Sequence, residues 1–262
     1  MTHVIGLVAT IPRIEALLTT SIPSIAQQSR LPDALVIVSD QQGLPTEACQ
    51  ALRALLPTIE VHFLENTHAT GAAGSWNTGL DFIQLIWPDG YVAILDDDDV
   101  WDNEHLALCV SIAERENWPD VVISGLRICV DEREIQRPPL HTLTTDDFLI
   151  GNPGWQGSNT FAKTQKLIAA GGFRESLSSC HDRDLAIRML DLPDARISFT
   201  GRHTATWKLN TYPNTLSRPG PNKTNALRLF LSLHGHRMSP DVRQQFMSRC
   251  LELFSLSADE LQ

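Results

Sequence analysis

Short apolar runs alternate with segments of helical periodicity in the first part of the chain. The runs at residues 4–9, 34–39 and 61–64 are rich in β-branched and other apolar side chains, as buried strands are. The segments at 14–25 and 48–55 instead place apolar residues three or four positions apart, which predicts helices. Strands that alternate with helices predict an α/β fold with a mostly parallel central sheet flanked by helices.

A further apolar run, residues 91–95, ends in four consecutive carboxylates, Asp96 to Asp99, just before Trp101. Neighbouring carboxylates repel one another unless a cation or protons neutralise them. Their hard oxygen atoms suit Mg²⁺, Mn²⁺ or Ca²⁺, and such an ion usually keeps positions open for substrate phosphates. The pattern therefore predicts a metal-assisted site for a phosphate-bearing substrate, with a solvated acidic turn as the alternative.

The second part of the chain holds another candidate for chemistry. Residues 67–79 are rich in glycine and predict a flexible loop that leads into a helix, and residues 121–130 predict a long strand. Glycine and aromatic residues are dense from 151 to 188, where Asp182 stands in the first turn of a predicted helix. Free N–H groups and the helix dipole keep such a carboxylate ionised, so Asp182 is either a proton acceptor in catalysis or a helix cap.

Apolar residues recur at helical spacing on both sides of Pro240 in the last part of the chain. This pattern predicts two amphipathic helices that form a C-terminal appendage on the domain. The same apolar faces could equally form a contact between two copies of the chain or with a partner, because apolar faces at a terminus need covering.

The amino-acid composition limits which binding partners and which cellular compartment we expect for the protein. The chain of 262 residues has a net charge of −10, so no basic field attracts nucleic acid or an anionic membrane, and neither is an expected partner. The five cysteines are scattered without close pairs, which suits reduced thiols. No basic leader and no run of about 18 apolar residues occurs, so we expect a cytoplasmic protein without a transmembrane segment.

The order of these motifs resembles that of the family 2 inverting glycosyltransferases, which have the GT-A fold. The resemblance is most specific at residues 94–101, which are similar to the family's Leu-Asp-x-Asp-Asp-x-Trp signature. Residues 77–80 resemble its Arg-Asn-x-Gly-Ile segment. Residues 171–175 resemble Gly-Gly-Phe-Asp-Glu, and residues 181–188 resemble the Glu-Asp-x-Asp-Leu-x-x-Arg stretch, whose first Asp is the catalytic base of the family.

The resemblance also implies a division of the chain. A GT-A domain over residues 1–218 would have a nucleotide-binding half at about 1–100 and an acceptor-binding half at 101–218. Residues 219–262 would form the helical appendage. Residues 207–217 resemble the family's late loop that ends in Ser-Leu-Ser, without the His that commonly occurs there.

The family's functional residues carry over to positions that match its motifs. By this resemblance Asp182 is the catalytic base, and Asp98 with Asp96 holds a divalent ion, Mn²⁺ or Mg²⁺. The residues implied to bind the nucleotide sugar are Thr10, Arg13, Asp40, Asn77, Asp96 and Asp97. Trp155 and Gln156 are candidates for acceptor binding, because an indole face stacks on sugar C–H groups and an amide bonds hydroxyls; a core aromatic is the alternative for Trp155.

The implied reaction moves a sugar from a nucleoside-diphosphate sugar to an acceptor hydroxyl with inversion at the anomeric carbon. The Gln-x-x-Arg-Trp segment of the processive synthases does not occur in the sequence, so we expect a single transfer. The acceptor class stays open among glycans, lipid-linked molecules and small metabolites.

Three departures from the family's motifs leave other functions open, namely Ser39, Trp76 and His181. One alternative is a metal-dependent phosphoester hydrolase or nucleotidyltransferase that uses the same acidic cluster and releases phosphate or pyrophosphate without an acceptor. The other is a non-catalytic module that binds a nucleotide sugar or a glycan without turnover.

Overall fold

The computed structural model of the protein describes residues 2–130, 133–135, 137–209 and 219–261. Within these residues one nine-stranded sheet forms the centre of the molecule. Its strands are β1 (Val4–Thr10), β2 (Ala34–Ser39), β3 (Glu60–Glu65), β4 (Tyr91–Asp96), β5 (Val100–Trp101), β6 (Val121–Val130), β7 (Arg133–Ile135), β8 (Thr160–Lys163) and β9 (Ile197–Leu209). They lie in the order β3-β2-β1-β4-β8-β6-β9-β5, and β7 pairs with β6.

The first half of the sheet is wholly parallel. β1 lies between β2 and β4 and runs parallel to both, and β2 runs parallel to β3. β8 joins the two halves through antiparallel pairs with β4 and β6, whereas the long β6 runs parallel to β9. Parallel pairs hold most of the paired residues, so the predicted α/β fold with a mostly parallel sheet is confirmed.

Helices cover both faces of the sheet. They are α1 (Ile14–Ala16), α2 (Ile22–Ala26), α3 (Thr46–Leu55), α4 (Ala72–Ile86), α5 (His105–Arg115), α6 (Thr145–Ile150), α7 (Thr164–Ala169), α8 (His181–Leu190), α9 (Pro221–His234) and α10 (Pro240–Phe254), and a π-helical turn at Leu17–Ser21 joins α1 to α2. Alternate residues of β1 face different cores: Val4 and Val8 pack on one side, and Ile5 and Leu7 on the other. None of the helices described is long and apolar enough to cross a bilayer.

The glycine-rich segment differs from its predicted form. α4 already begins at Ala72, so Gly74 and Gly79 lie inside the helix rather than in a loop before it. Close packing explains why a helix tolerates them: a Cβ on Gly79 would lie 2.3 Å from Leu7 Cδ1, and one on Gly74 would lie 1.9 Å from the Ala69 carbonyl oxygen. Gly79 therefore allows close approach to the sheet, and Gly74 allows close approach to the loop before α4, at some cost in helix propensity.

The two predicted C-terminal helices are present and pack on the domain. Phe230 of α9 and Phe246 of α10 are fully buried and stack with ring centroids 6.3 Å apart. The guanidinium of Arg183 from α8 lies 4.1 Å from the centroid of Phe230. The boundary expected at residue 218 and the loop at 210–217 lie outside the described residues, and a contact between copies of the chain stays a prediction.

Candidate active site

Three strand ends open onto one cavity of about 650 Å³. Because β2, β1 and β4 are adjacent and parallel, Thr10, Asp40 and Asp96 reach the same edge of the sheet. All three residues line the cavity, and so does Asp182 in the first turn of α8. The structure thus brings together residues that are far apart in the sequence.

Arg13 is the counter-ion of the acidic cluster. Its Nε lies 3.0 Å from Oδ2 of Asp97, its Nη2 bonds the other oxygen, and its Nη1 lies 3.1 Å from Oδ2 of Asp98. Thr10 also donates its hydroxyl hydrogen to Asp97. Burial raises the pKa of Asp97 to about 6, although Arg13 and Thr10 oppose the rise. Since both of its oxygens are engaged, Asp97 orients Arg13 and Thr10 at the cavity wall.

Asp99 is the member of the cluster that does not line the cavity, and it is fully buried. Its Oδ2 accepts a hydrogen bond from the Ser158 hydroxyl at 2.6 Å, and its Oδ1 accepts one from the backbone N–H of Lys208 at 2.9 Å. Burial and the charge of Asp98 raise its pKa to about 7. Asp99 therefore fixes the turn after β4 to its neighbours, a role that no local sequence pattern distinguishes.

Asp96 and Asp98 face the cavity. The pKa of Asp96 lies well above its usual range because the carboxyl is buried and because Asp99, Asp98 and Asp182 place negative charge near it. Asp182 is thus close enough to the acidic cluster for its charge to be felt there. Asp182 and the acidic cluster therefore line the same cavity.

Asp182 combines burial with nearby positive groups. Burial raises the pKa of its carboxyl, and the charges of His181 and Lys223 and a hydrogen bond from the Gly157 N–H oppose that rise. The ionised form of a carboxylate with a raised pKa binds a proton more strongly than a carboxylate in free solution, so it is the better proton acceptor.

Asp40 shapes the wall next to α4. Its Oδ1 accepts a hydrogen bond from the Asn66 amide at 2.8 Å, and its Oδ2 accepts one from the Gly71 N–H at 3.0 Å. The residue is 2% exposed although it lines the cavity. Its carboxylate therefore fixes the loop that precedes α4.

Asn77 lies outside this cavity. Its Nδ2 donates to the Phe173 carbonyl and to Glu175 Oε1, each at 2.8 Å, and its Oδ1 accepts from the Phe173 N–H at 2.8 Å. Because both ends of the amide bind the loop after α7, Asn77 holds that loop in place. The lining of the cavity gives no support to the expected contact between Asn77 and the nucleotide sugar, which stays a prediction.

Trp155 is buried and also does not line the cavity. Its Nε1 donates to Thr160 Oγ1 at 2.7 Å, and its ring packs edge-on against Phe148 with centroids 5.8 Å apart. Trp155 belongs to the buried core cluster, which agrees with the core-aromatic alternative, and its stacking on an acceptor sugar stays a prediction. Gln156, the next residue, does line the cavity.

The two C-terminal helices supply part of the cavity wall, which the sequence did not predict. The residues concerned are Lys223 and Leu227 of α9 and Arg249, Leu253 and Phe254 of α10. Lys223 also reaches the segment before Asp182, where its Nζ lies 2.7 Å from Ser179 Oγ. No local pattern could have revealed this wall, because it depends on how the helices fold back onto α8.

Two of the departures from the family's motifs meet in the wall. Trp76 and His181 both line the cavity and contact each other edge-on, with ring centroids 5.1 Å apart. Trp76 Nε1 and His181 Nδ1 are buried, and neither has a hydrogen-bond partner in the described part of the chain. The two departures therefore lie side by side at one point of the cavity wall.

The acidic cluster suits a divalent ion held by few protein ligands. Among the described residues, no three or more His, Cys, Asp or Glu side chains are grouped so that they could hold a metal by themselves. Asp96 and Asp98 line the cavity, and the surrounding carboxylates carry more negative charge than Arg13 neutralises. A hard cation shared between one or two carboxylates and a diphosphate fits this donor set.

Solved structures of similar shape are glycosyltransferases and related proteins. TarS 1–349 from S. aureus in complex with UDP-GlcNAc is 16% identical with a TM-score of 0.69, over 99% of this chain and 74% of that chain. Mannosyltransferase PcManGT from Pyrobaculum calidifontis, in complex with GDP-Man and Mn²⁺, is 17% identical with a TM-score of 0.61, over 93% of this chain and 67% of that chain. At such identities the likeness shows the fold alone, and here the fold is GT-A.

Sequence comparison identifies the family. A comparison with curated proteins finds no match. The sequence model described as Glycosyl transferase family 2, however, matches residues 7–174. This span is more than half of the chain, and it contains the acidic cluster and the strands that present it. The protein therefore belongs to glycosyl transferase family 2, a family of sugar-transferring enzymes.

Proposed function

We propose that this protein is an inverting glycosyltransferase that moves a sugar from a nucleoside-diphosphate sugar to an acceptor hydroxyl in a single, metal-assisted transfer. One observation carries the proposal: Asp182 and the acidic cluster line the same cavity, close enough for the charge of Asp182 to raise the pKa of Asp96. A proton acceptor and a binding place for the leaving diphosphate would therefore lie in the same cavity.

Asp182 would act as the general base. A hydroxyl is a poor nucleophile at neutral pH, and a positioned carboxylate that takes its proton as the new bond forms contributes about 10²–10⁴-fold in rate. The raised pKa of Asp182 strengthens it as a base, and the Gly157 N–H fixes the carboxylate. Since the ionised form is the active one, the rate should fall as the pH drops through this raised pKa.

The donor would be held at the strand ends. Thr10, Arg13 and Asp40 lie on the side of the cavity formed by the first half of the sheet, where the resemblance places the nucleotide. Asp98, with Asp96, would hold a divalent ion, which when bound supplies positive charge for the departing diphosphate. Arg13, paired with Asp97 and Asp98, would keep these carboxylates in position.

Inversion follows from the number of nucleophiles rather than from the fold. In this scheme Asp182 removes the acceptor proton while the acceptor oxygen forms the new bond to the anomeric carbon and the diphosphate leaves from the opposite face. One displacement inverts the configuration, and no carboxylate of the protein forms a covalent bond to the sugar. Holding both reactants in line removes much of the entropic barrier.

The first experiment is a thermal-shift screen of nucleotides and nucleotide sugars with and without Mn²⁺ or Mg²⁺, followed by turnover of the donor that binds. A ligand that binds the native state raises the melting temperature by mass action. We expect metal-dependent stabilisation by one nucleoside-diphosphate sugar, lost in Asp98→Ala.

Asp182→Asn should retain nucleotide binding and lower kcat by about 10²–10⁴-fold. The matched control is Asp146→Asn, an exposed carboxylate in the first turn of α6 that does not line the cavity. Its kcat should stay at the wild-type value.

Other outcomes would favour the alternatives. Release of phosphate or sugar without an acceptor, unchanged in Asp182→Asn, would indicate a hydrolase. Tight binding of a nucleotide sugar without turnover of any acceptor would indicate a binding module. No stabilisation by any nucleotide would overturn the proposal.

A further inference from the structure

The charged residues around the cavity are segregated. Every carboxylate that lines it in the described chain belongs to the strand ends or to the start of α8: Asp40, Asp96, Asp97, Asp98 and Asp182. The later part of the chain contributes basic side chains instead, among them Arg137, Lys223 and Arg249. We call these three residues the basic group.

Arg249 is held in the wall by the backbone of the loop after α6. A Cβ on Gly151 would lie 2.4 Å from Arg249 Nε and 2.9 Å from its Cζ, so the absence of a side chain at Gly151 makes room for the guanidinium. The half-buried Arg249 side chain thus follows a fixed path from α10 to the cavity. Such a path limits the rotamer entropy that ligand binding would otherwise cost.

In the part of the chain that the structure describes, the guanidinium groups of Arg249 and Arg137 have no counter-ion: neither side chain forms an ion pair or a hydrogen bond there. Burial and the positive charge of Arg137 both lower the pKa of Arg249, and Cys250 and the exposed Glu252 oppose this shift. Two like charges beside each other in a cavity wall are unfavourable unless an anion joins them.

Lys223 adds a third positive charge near the same place. Its Nζ donates to Ser179 Oγ at 2.7 Å and lies 5.1 Å from the centroid of the Phe254 ring, which also lines the cavity. A guanidinium presents paired N–H donors to phosphate oxygens, and an ammonium adds a point charge. The basic group therefore has the chemistry of a phosphate site.

We propose that the basic group binds a phosphate group carried by the acceptor. The inference rests on the proposed function, which assigns the donor's own diphosphate to Asp98 and Asp96. With that diphosphate placed at the acidic cluster, the basic group remains for the other substrate. The acceptor then carries a phosphate group, and its reacting hydroxyl lies toward Asp182.

The test uses the full chain saturated with Mg²⁺ and the nucleoside diphosphate found in the thermal-shift screen, so that the donor's phosphate positions are filled. Inorganic phosphate, glycerol 3-phosphate, glycerol and acetate are then titrated by calorimetry at constant ionic strength. We expect the two phosphates to bind, and acetate and glycerol to bind at least about tenfold more weakly.

Variants assign the binding to the basic group. Arg249→Gln and Arg137→Gln should each weaken phosphate binding about tenfold or more, and Arg249→Lys should recover part of the loss. The matched control is Arg243→Gln, an exposed arginine of α10 that does not line the cavity, and it should bind phosphate as the wild type does. The melting temperature of each variant without ligand checks that it is folded.

Phosphate binding that is unchanged in both Arg249→Gln and Arg137→Gln would overturn the inference, and so would equal binding of acetate and phosphate, or no binding of either. If no nucleotide binds at all, the proposed function itself fails. If a nucleotide sugar binds and turns over while phosphate has no effect, the transferase stands and the phosphate site is refuted.

Discussion

Asp184→Asn should destabilise the protein strongly, because this carboxylate ties the C-terminal helices to the helix that carries Asp182. Asp184 is fully buried in α8. Its oxygens accept hydrogen bonds from Arg174 Nε at 3.0 Å, Arg188 Nε at 2.8 Å and His234 Nε2 at 2.9 Å. Since His234 is the last residue of α9, the network spans the predicted boundary between domain and appendage.

The expected loss of stability follows from the pKa shift of Asp184. Burial alone would raise the pKa of Asp184, but His234, Arg188 and Arg174 overcome this and hold it at about 2. Relative to an ordinary value near 3.9, that shift corresponds to about 2 to 3 kcal/mol of stability, and removing one partner of a buried ion pair typically costs about 3–5 kcal/mol. Asparagine keeps one acceptor, so we expect a loss of about 3 kcal/mol.

Urea unfolding at neutral pH and thermal melting measure this loss. For a chain of this size about 3 kcal/mol corresponds to a melting temperature roughly 6–12 °C lower. The control is Asp191→Asn at the end of the same helix, where an exposed carboxylate pairs with Arg237 at 2.7 and 2.8 Å. An exposed pair contributes less than about 1 kcal/mol, so this variant should melt near the wild type.

The pH dependence gives a second check. A carboxyl whose pKa is lower in the folded state stabilises the fold above its unfolded pKa, and this stabilisation is lost as the pH falls toward the folded pKa. The difference between wild type and Asp184→Asn should therefore narrow from about pH 4 toward about pH 2. Equal melting temperatures for Asp184→Asn and Asp191→Asn at neutral pH would refute the argument that the buried network joins α8 to α9.

Two further predictions concern His105 and Asn77. Burial lowers the pKa of His105 to about 3, so below about pH 6.5 the unfolded chain binds a proton that the folded chain does not. The free energy of unfolding should therefore fall by up to about 1.4 kcal/mol per pH unit from about pH 6.5 toward pH 3. His105→Gln should flatten this slope in urea titrations, and an unchanged slope would contradict the prediction. Asn77→Ala should cost roughly 2–3 kcal/mol of stability, because its hydrogen bonds are lost. The nucleotide affinity, measured by calorimetry, should stay almost unchanged. A large loss of affinity would show that Asn77 contributes to nucleotide binding.

The strands were predictable because burial on both faces leaves a direct trace in the sequence. β2 and β6 have the predicted bounds: β2 is apolar from Ala34 to Val38, and β6 is apolar apart from Ser124, Gly125 and Arg127. The start of α4 was not predictable, because its glycines have low helix propensity and are kept for contacts with Leu7 and Ala69 that only the folded chain makes.

The roles of the four carboxylates in the acidic cluster were likewise not predictable from the sequence. The four carboxylates from Asp96 to Asp99 are equivalent in the sequence, yet Asp99 is buried against Ser158 while Asp96 and Asp98 face the cavity. Trp155 and Gln156 are neighbours, and only Gln156 reaches the cavity. The orientation of Asp99 depends on hydrogen-bond partners that lie about 60 residues or more away in the sequence. The orientation of Trp155 depends on packing in the core.

The sequence by itself determined the α/β fold, the family and the position of the acidic cluster at a strand end, because periodicity and short motifs are local properties of the chain. The tertiary structure decided that α9 and α10 complete the cavity and that Arg137 and Arg249 face the space shared by Asp98 and Asp182. These facts depend on contacts between distant segments, whose energies come from burial and charge in the folded state and leave no local pattern.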